Sequence, residues 1–446
     1  MRIAIVGSGI AGLGATWALA RRHQVTLYEA DPRLGGHTNT VDMPWAGGVQ
    51  PVDTGFIVYN ERNYPNLTKL FATLGVTTHP SDMSFGVSLD QGAFEYAGDD
   101  FFKLFAQPLN ALRPGFQRML LDILRFNRDA LRFLETAAGD HETLGEFLAR
   151  GRYGEGLKCR YLLPMGAAIW SASLDGIEAY PARSFLQFYA NHGLLGLRDR
   201  PAWRTVTGGA RSYVAKMLYG LGDRVRPGTP VAAITRRGEQ VEVRDVHGRV
   251  DSFDHVVLAC HADQALCLID SPTPHETAVL GAFRYQPNRA VLHRDATLMP
   301  KRRRVWSSWN YLAAQREGGE VAVSVTYWMN RLQGIDPACP TFVSLNPLRA
   351  PAAETVVAAF DYDHPQYDRA ALAAQKRLGE IQGHHRLWFA GANWGWGFHE
   401  DGLKSGLAVA SELGAPAPWW PSRPIEVRPP ASAPTMPLPA AAGPAA

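Results

Sequence analysis

The stretch "RIAIVGSGIAGLG", Arg2 to Gly14, decides the fold of the first part of the chain. Its apolar run "RIAIV" predicts a buried parallel strand. Gly7, Gly9 and Gly12 follow at the G-x-G-x-x-G spacing. In this motif the first glycine makes a tight turn, the second lets the backbone approach a pyrophosphate, and the third lets helix and strand pack closely. The sequence therefore predicts a strand, a phosphate-binding turn and a helix.

The residues that follow complete a dinucleotide-binding unit. "ATWALARR" predicts a helix, and "QVTLYEA" predicts a second strand that carries Glu29 and Ala30 at its end. Glu29 is expected to accept hydrogen bonds from the adenosine ribose, while the helix N-terminus at Ile10 and Ala11 faces the phosphates. The alternative is a glycine-rich turn that binds nothing. It accounts for the glycines but not for the strand, helix, strand and acid together.

Length and composition limit the class of protein. The chain has 446 residues, 46% hydrophobic and 20% charged, which predicts a globular protein of two structural units. A net charge of +3 is too small to indicate nucleic-acid binding. No run of 18 apolar residues predicts a spanning helix. No C-x-x-C pair occurs, which argues against a zinc site or disulfide framework; the four cysteines are Cys159, Cys260, Cys267 and Cys339.

The two termini have distinct characters. "MRIAIVGSGIAG" begins like a signal peptide, but its glycine pattern starts at Gly7, inside the apolar run. We therefore expect a folded N-terminus and a cytoplasmic protein, with peripheral contact to the inner membrane face left open. From Ala415 onward the chain is rich in Pro and Ala and is predicted to be extended or disordered. Trp419 and Trp420 could dock at the start of this tail.

The fingerprint alone does not distinguish NAD from FAD, and the residues after the second strand help to do so. "DPRLGGHTNT" contains Arg33, Gly35 and Gly36. Here the sequence resembles the flavin-containing amine oxidoreductase family, which carries a GG-x-x-[ST]-like motif at this point. The resemblance implies that this loop contacts the FAD pyrophosphate. His37 stands where the family usually has Arg, and Thr38 can still donate a hydroxyl hydrogen bond.

Later blocks extend the resemblance. "PVDTGFIVYN", with Asp53, Thr54 and Gly55, resembles the family's block that approaches the flavin ring. The family's residue at Val231 uses its backbone to grip the adenine. "WRTVTGGARSYVAKML" resembles the segment that re-enters the FAD domain, and "HVVLAC" reads as a strand that rejoins the dinucleotide sheet.

The stretch "GANWGWGFHEDGLKSG", from Gly391, reads as a glycine-rich turn before a helix with Asp401 as its N-cap. The resemblance implies that Gly391 meets the pyrophosphate or ribityl chain. It also implies that Gly402 and Leu403 direct backbone N–H groups at flavin N1 and O2, where a helix N-terminus stabilises negative charge. The glycines of this stretch are interpreted as clearance for the cofactor. No cysteine lies here, so FAD is expected to be non-covalent.

Four residues are candidates for the chemistry. Phe398 stands where many amine oxidases have a Tyr in an aromatic cage, and His399 follows as a candidate proton acceptor or a hydrogen-bonded structural residue. Many relatives also place a Lys near flavin N5. The strand "PNRAVLHRD" offers Arg289 and His293 instead. Both departures disfavour amine oxidation.

The resemblance implies an α/β fold with an α+β substrate part. A Rossmann-type FAD-binding domain would comprise 1–63, 200–268 and 380–414. A discontinuous substrate domain of antiparallel sheet plus helices, like that of amine oxidases, would comprise 64–199 and 269–379, followed by the tail 415–446. Residues 64–151 are predicted to be helical. "YLLPMGAAIWSAS" is predicted to form core, with cavity lining as the alternative.

One helix has two interpretations. "RPGFQRMLLDILRFNRDALRFLETA" interleaves apolar residues with Arg118, Arg125, Arg128 and Arg132. The first interpretation is an amphipathic helix with a solvated basic stripe. The second is a basic, apolar surface that rests on anionic lipid, which "KRRR" at Lys301 could join.

The combined pattern, with "GGHTNTV", "WSSWNY" and "TYWMNRLQ", resembles a bacterial branch of NAD/FAD-binding proteins associated with cyclopropane-fatty-acid-synthase-like methyltransferases. This resemblance implies an FAD-dependent oxidoreductase that desaturates or isomerises a modified fatty acyl chain by hydride transfer to flavin N5. One alternative is an amine oxidase that releases hydrogen peroxide. The other is a non-catalytic, FAD-stabilised partner of a lipid-modifying enzyme. A lipid or small-molecule substrate is expected, and no nucleic acid.

Overall fold

The computed structural model describes residues 1–98, 101–136, 142–170, 174–196, 201–315 and 321–421. The strands are β1 Arg2–Val6, β2 Gln24–Tyr28, β3 Thr40–Trp45, β4 Gly48–Asp53, β5 Val58–Asn60, β6 Thr78–Pro80, β7 Phe85–Leu89, β8 Phe94–Ala97, β9 Trp203–Val206, β10 Val225–Arg226, β11 Val231–Arg237, β12 Gln240–Asp245, β13 Val250–Phe253, β14 His255–Leu258, β15 Arg284–His293, β16 Trp309–Gln315, β17 Val321–Trp328, β18 Phe342–Leu345, β19 Val356–Gln366 and β20 Leu387–Phe389. The helices are α1 Ile10–Leu19, α2 Pro65–Leu74, α3 Phe101–Leu104, α4 Pro114–Glu135, α5 Leu144–Arg150, α6 Glu155–Leu157, α7 Leu163–Trp170, α8 Leu174–Glu178, α9 Ala182–Asn191, α10 Arg211–Met217, α11 Ala262–Leu268, α12 Pro274–Leu280, α13 Met329–Leu332, α14 Arg369–Lys376 and α15 His399–Glu412.

A parallel sheet contains the predicted dinucleotide-binding unit. Its described strands run in the order β10, β2, β1, β14 and β20. Ile3 pairs with Val25 on one side and with His255 on the other, both in parallel register. The strands predicted from "RIAIV", "QVTLYEA" and "HVVLAC" are confirmed. Because the strands are parallel, the residues after β1, β2, β14 and β20 meet at one edge of the sheet, where doubly wound folds bind their ligands.

Helices α1 and α15 pack directly against each other beside this sheet. A Cβ atom at Gly406 would overlap the carbonyl oxygen of Ala11, and one at Gly402 would lie 2.7 Å from Cγ2 of Ile10. Both glycines therefore permit close contact between the two helices. The interpretation that the glycines of this stretch make room for the cofactor is wrong at these two positions, because the protein itself occupies the space.

A second, larger sheet crosses the other half of the molecule. Its described strands run in the order β19, β15, β18, β17, β16, β7 and β8, and all neighbours are antiparallel except β16 and β7. The helical prediction for 64–151 is wrong at β6, β7 and β8. β6 pairs with β9 and β7 pairs with β16, both far away in sequence, so a local pattern could not reveal these pairings. β8 pairs with β7 as a local hairpin, which the helical interpretation missed.

Helices α4 to α9 cover this sheet with an aromatic core. Buried rings from four helices belong to it, among them Phe126, Phe147, Trp170 and Phe185. The segment "YLLPMGAAIWSAS" forms the end of a π-helical turn and α7, whose residues are largely buried. Its last three residues lie outside the described ranges. The segment therefore forms core, and some of its side chains also reach a cavity described below.

The described chain ends at residue 421. Trp419 stacks on Trp17 of α1 with ring centroids 5.6 Å apart, and its Nε1 donates to Asn66 Oδ1 at 3.1 Å. The docking expected for Trp419 is therefore present. The predicted extended tail falls on residues 422–446, outside the described ranges. In the part of the chain that is described, no helix is both long enough and apolar enough to cross a membrane.

Candidate active site

The turn after β1 leaves open space in front of α1. Gly7 has φ +102°, and a Cβ there would lie 2.8 Å from the carbonyl oxygen of Ala259. A Cβ at Gly12 would overlap the Gly7 carbonyl oxygen, so both glycines are required by packing. At Gly9 a Cβ would meet no atom within 4 Å, and Gly9 caps α1 without a side-chain hydrogen bond. The first N–H groups of α1, from Ile10 onward, therefore border free space.

Ser8 joins this turn to the two segments that follow. Its backbone N–H and its hydroxyl donate to Oε2 of Glu29 at 2.7 and 2.5 Å. The same hydroxyl accepts from the N–H of Gly35 at 3.0 Å. Thr229 donates its N–H to the carbonyl oxygen of Glu29 at 2.8 Å, two residues before β11 begins at Val231. The structure thus brings the predicted ribose and adenine residues to the edge of the parallel sheet.

The glycine-pair loop carries a buried polar atom without a partner. Gly35 and Gly36 have positive φ values of +115° and +57°. Arg33 donates to backbone carbonyls of this same loop. His37 stacks on Tyr362 with centroids 4.8 Å apart, and its Nε2 is buried with no hydrogen-bond partner in the protein. Burial lowers the pKa of His37, so the ring is neutral and its Nε2 can bond a ligand.

Asp53 fastens the neighbouring segments together. Its carboxylate accepts from Thr40 Oγ1 at 2.5 Å, from the N–H of Ala210 at 2.9 Å and from Gln333 Nε2 at 2.8 Å. Burial raises its pKa to about 7. Because protein donors occupy both oxygens, Asp53 supports the predicted flavin-side block by holding its backbone. This differs from the direct cofactor contact that the sequence suggested.

The two residues after Asp53 shape the wall between the cofactor edge and the cavity. Thr54 donates its hydroxyl to the carbonyl oxygen of Asn39 at 3.2 Å. A Cβ at Gly55 would overlap the carbonyl oxygen of His37, so this position must be glycine. Gly55 and Phe56 also line the cavity.

His399 is held by hydrogen bonding and stacking. Its Nε2 lies 2.5 Å from the hydroxyl of Tyr213, which lies 2.6 Å from Thr38 Oγ1. The ring stacks on Phe56 with centroids 3.8 Å apart and 9° between the planes. Burial lowers the pKa of His399 to about 3. Because the imidazole of His399 is neutral and its Nε2 already contacts the Tyr213 hydroxyl, we interpret His399 as a positioning residue rather than a proton acceptor.

The N-terminus of α15 differs from the expected geometry. Phe398 is its N-cap, and Asp401, the third helical residue, accepts from the N–H groups of Trp396 and Phe398 at 2.9 and 3.0 Å. The N–H of Gly402 donates to the carbonyl oxygen of Phe398 at 3.1 Å. Leu403 lies one residue further inside the helix, and its side chain is fully buried. The unbonded N–H groups therefore belong to the first three helical residues, because Gly402 and Leu403 lie beyond the first turn.

Gly391 lies at the same edge of the sheet, after β20. Its N–H donates to Ser405 Oγ at 2.9 Å. A Cβ there would overlap Oδ1 of Asn393. Nδ2 of Asn393 is buried and has no hydrogen-bond partner in the protein. The edge thus carries two orphaned buried nitrogen atoms, this one and Nε2 of His37.

A cavity of about 310 Å³ opens beside Phe398. Phe398 stacks on Phe188 of α9 with centroids 4.8 Å apart, and Trp309 meets Tyr327 edge to face at 4.9 Å. Among the described residues that line the cavity there is no Asp, Glu, Lys or Arg. The lining is Gly55, Phe56, Ile57, Val58, Tyr64, Met83, Ser84, Phe85, Tyr96, Gly98, Tyr161, Met165, Ile169, Phe188, His192, Gly193, Leu194, Pro201, Trp203, Trp309, Tyr327 and Phe398.

His192 is a cavity residue that the sequence did not single out. Its Nδ1 lies 2.9 Å from the carbonyl oxygen of Phe188, and its ring stacks on that of Phe188 at 3.8 Å. Since a carbonyl only accepts, Nδ1 carries the proton and Nε2 carries a lone pair. Burial lowers the pKa of His192 to about 4, so the ring is neutral. In the sequence, His192 cannot be told from a surface histidine. Its place in the cavity depends on the packing of α9 against Phe398, which is distant in sequence.

Arg289 and His293 are not brought to this cavity. Arg289 is exposed on β15 and pairs with Asp361 at 2.8 Å. His293 is fully buried, with Nε2 bonded to Ser344 Oγ at 2.8 Å and its ring stacked on Phe342. Strands β16 and β17 supply the aromatic wall instead. Neither residue contacts Phe398 or His399, so the structure separates the four predicted catalytic candidates into two groups.

Comparisons with known proteins identify the family. The model of the flavin containing amine oxidoreductases matches residues 10–292. A carotenoid phi-ring synthase of Chlorobaculum tepidum is 34% identical over 131 residues, 28% of this chain and 19% of that protein. A protoporphyrinogen oxidase of Schizosaccharomyces pombe is 26% identical over 194 residues, 40% of this chain and 38% of that protein. The chain thus spans less than half the length of either curated relative.

Solved structures share the whole fold. Cyclohexylamine oxidase from Brevibacterium oxydans IH-35A superposes with a TM-score of 0.66 at 18% identity, covering 93% of this chain and 99% of that one. The CLA-producing fatty acid isomerase from P. acnes gives a TM-score of 0.63 at 15% identity, covering 93% and 98%. The predicted α/β fold of the amine-oxidase type is confirmed.

The edge of the parallel sheet fits FAD. Open space at Gly9, the free N–H groups of α1 and the orphaned Nε2 of His37 offer donors and room for a pyrophosphate. Glu29 lies at the end of β2, where a ribose is bound in such folds. The chain is an FAD-dependent oxidoreductase and belongs to the flavin-containing amine oxidoreductase family.

Proposed function

We propose that this oxidoreductase acts on the acyl chain of a lipid and either introduces a double bond or moves one. The observation that carries the proposal is the absence of Asp, Glu, Lys and Arg from the described lining of the cavity beside Phe398. A charged substrate group there would lose its hydration without gaining an ionic partner. A hydrocarbon chain has no charged group that would lose its hydration on entry, and it gains apolar contact with rings and aliphatic side chains.

The cavity residues have separate roles in such a reaction. Phe188 and Phe398 hold the chain and exclude water, while the Tyr213–His399 contact fixes the first residue of α15. When bound, FAD accepts a hydride from a substrate carbon. In desaturation, the neighbouring C–H becomes acidic once the hydride has left, and Nε2 of His192 accepts that proton. The remaining electron pair forms the double bond. Isomerisation returns the hydride to a different carbon and needs no net proton acceptor.

Two similar proteins have names that are consistent with apolar substrates. One is the carotenoid phi-ring synthase and the other is the fatty acid isomerase. Amine oxidation is the competing function, because one solved structure of similar fold is an amine oxidase. Its likeness at 18% identity concerns the fold, so the chemistry must be tested directly.

Anaerobic mixing tests the proposal. Protein loaded with FAD is mixed with phospholipids that carry unsaturated or methyl-branched chains, and separately with cyclohexylamine. The absorbance of the oxidised flavin is followed in both mixtures. Mass spectrometry of the recovered chains detects a shifted double bond even when the flavin ends oxidised. Bleaching or product formation with lipid alone supports the proposal. Bleaching by the amine with unchanged lipid chains contradicts it.

A further inference from the structure

We propose that α4 and the segment before it form a surface that docks onto an anionic phospholipid bilayer. We call this surface the leucine face. It consists of large apolar side chains exposed to solvent: Leu109 at 67%, Leu112 at 78%, Leu121 at 64%, Leu124 at 54% and Leu131 at 47%. Single exposed leucines are ordinary, but five within 23 residues of one another mark an interaction site.

The helical positions show that this exposure is directional. With about 3.6 residues per turn, Leu121, Leu124 and Leu131 fall on one side of α4. Met119 and Phe126, which are buried in the core, fall on the opposite side. The helix is therefore apolar on both sides. The inner side packs against the protein, and the outer side has the composition of an interfacial helix.

Arginines border the outer side of α4. Arg118 and Arg128 expose 62% and 58% of their side chains, and Arg132 is also exposed. Four arginines and three acids lie in α4. Asp122 is turned inward, since it is 3% exposed and accepts from Arg118, Arg125 and the N–H of Gly154. Asp129 pairs with Arg128 at 3.0 Å, and Glu135 is exposed at the end of the helix. The helix thus presents leucines and cations together.

Exposed leucines beside arginines favour one kind of binding partner, an anionic bilayer. Anionic headgroups attract arginine while the acyl boundary takes leucine. A second copy of this chain, packed on the same face by two-fold symmetry, would bring like arginines together. The structure of the outer side of α4 therefore favours a bilayer with negative surface charge over a homodimer.

Helix α4 lies close to the cavity through a buried residue. Tyr96 lines the cavity, and its ring contacts Phe116 in the first turn of α4 with centroids 6.2 Å apart. Gly98, which is exposed, also lies on the cavity wall and precedes α3 by three residues. The docking proposal rests on the exposed residues themselves and holds whatever substrate the cavity takes.

Vesicle flotation tests the docking with the FAD-loaded protein. Two lipid compositions are compared: phosphatidylcholine alone, and phosphatidylcholine with about a third phosphatidylglycerol. The same mixture made from diphytanyl ether lipids, whose chains contain no double bond or acyl ester, separates docking from turnover. We expect the wild-type protein to float with both anionic preparations, with weaker binding in high salt.

Substitutions identify the surface. L121S/L124S/L131S is expected to lower vesicle binding about tenfold or more. Y219S/V246S/V250S changes three side chains elsewhere that are 90%, 54% and 51% exposed, and it is expected to bind like the wild type. Flavin absorbance and near-UV circular dichroism verify that both variants are folded.

Three results would overturn the proposal. They are absence of wild-type binding to anionic vesicles, equal binding by L121S/L124S/L131S, and light scattering that shows a dimer dissociated by that variant. The last would make a second copy the occupant. Failure of the lipid reaction with docking intact would contradict only the proposed substrate.

Discussion

The hydroxyl of Tyr213 lies 2.5 Å from Nε2 of His399, so α10 is tied to the first residue of α15. The same hydroxyl reaches Thr38 in the loop after the glycine pair. One buried oxygen thus connects three separate segments at the point where the cofactor edge meets the cavity.

Tyr213→Phe is expected to lower the free energy of unfolding by about 1–3 kcal/mol, because the buried Nε2 of His399 and Oγ1 of Thr38 lose their partner. We also expect slower flavin reduction, since His399 loses its fixed orientation. Urea denaturation and stopped-flow absorbance measure the two effects. Tyr153→Phe is the control, because Tyr153 bonds Asp129 outside the cavity and should leave the reduction rate unchanged.

His192→Phe is expected to keep the stacking on Phe188 and to remove the Nε2 lone pair from the cavity. If the reaction is a desaturation, its rate should fall about a hundredfold, the usual size of a lost general base. Lipid binding should change little. Mass spectrometry of products gives the rate, and fluorescence titration gives the affinity. Unchanged desaturation in this variant would exclude His192 as the proton acceptor.

Ile169→Glu places a carboxylate in the cavity wall. We expect it to abolish reaction with acyl chains, because an ionised group in an apolar cavity is poorly solvated and repels hydrocarbon. Reaction with a cationic amine should improve or remain unchanged. Met165→Leu, on the same helix and also in the wall, is the volume-conserving control. Retained lipid turnover in Ile169→Glu would place the substrate elsewhere.

Two glycine variants separate cofactor binding from folding. Gly9→Ala meets no protein atom within 4 Å and should fold, but its methyl group occupies the space in front of α1 and should weaken FAD binding. Gly406→Ala overlaps the carbonyl oxygen of Ala11 and should destabilise the apoprotein by about 3 kcal/mol or more. FAD titration and thermal unfolding of the apoprotein give the two quantities. The prediction fails if Gly9→Ala binds FAD like the wild type.

Asp53 predicts a pH dependence of stability. Its pKa is raised from 3.8 to about 7 by burial, so the folded protein binds a proton that the unfolded chain has released. Stability from this group is full at low pH and is lost as pH rises through about 7, by up to about 4 kcal/mol. Asp53→Asn should flatten this part of the curve. Urea midpoints measured from pH 4.5 to about 8, which spans most of the interval between the two pKa values and passes its upper end, test it.

The cofactor edge was largely predictable because its determinants are local. Gly7, Gly9, Gly12 and Glu29 lie within one short βαβ unit. Gly7 and Gly12 have the packing roles that their spacing predicts, and Gly9 and Glu29 lie at the sheet edge where the motif places them. His192 and Tyr213 were not predictable in the same way. Each acquires its role from a partner about 200 residues away in sequence. His192 lies beside Phe398, which caps α15, and Tyr213 bonds His399. Asp53 shows the same limit, since its partners include Gln333.

The contact between Gly406 and Ala11 has a consequence for synthesis on the ribosome. Helix α1 is among the first segments to emerge, yet the surface it buries belongs to α15, almost 400 residues later. Until then the nascent chain carries an incomplete sheet and an uncovered apolar helix, a state that favours chaperone binding and aggregation. We therefore expect tight FAD binding only after nearly the whole chain has been translated, because α1 borders the cofactor space and is packed only then. Cofactor supply then acts on the last step of folding, and a chain truncated before α15 should be recovered without FAD.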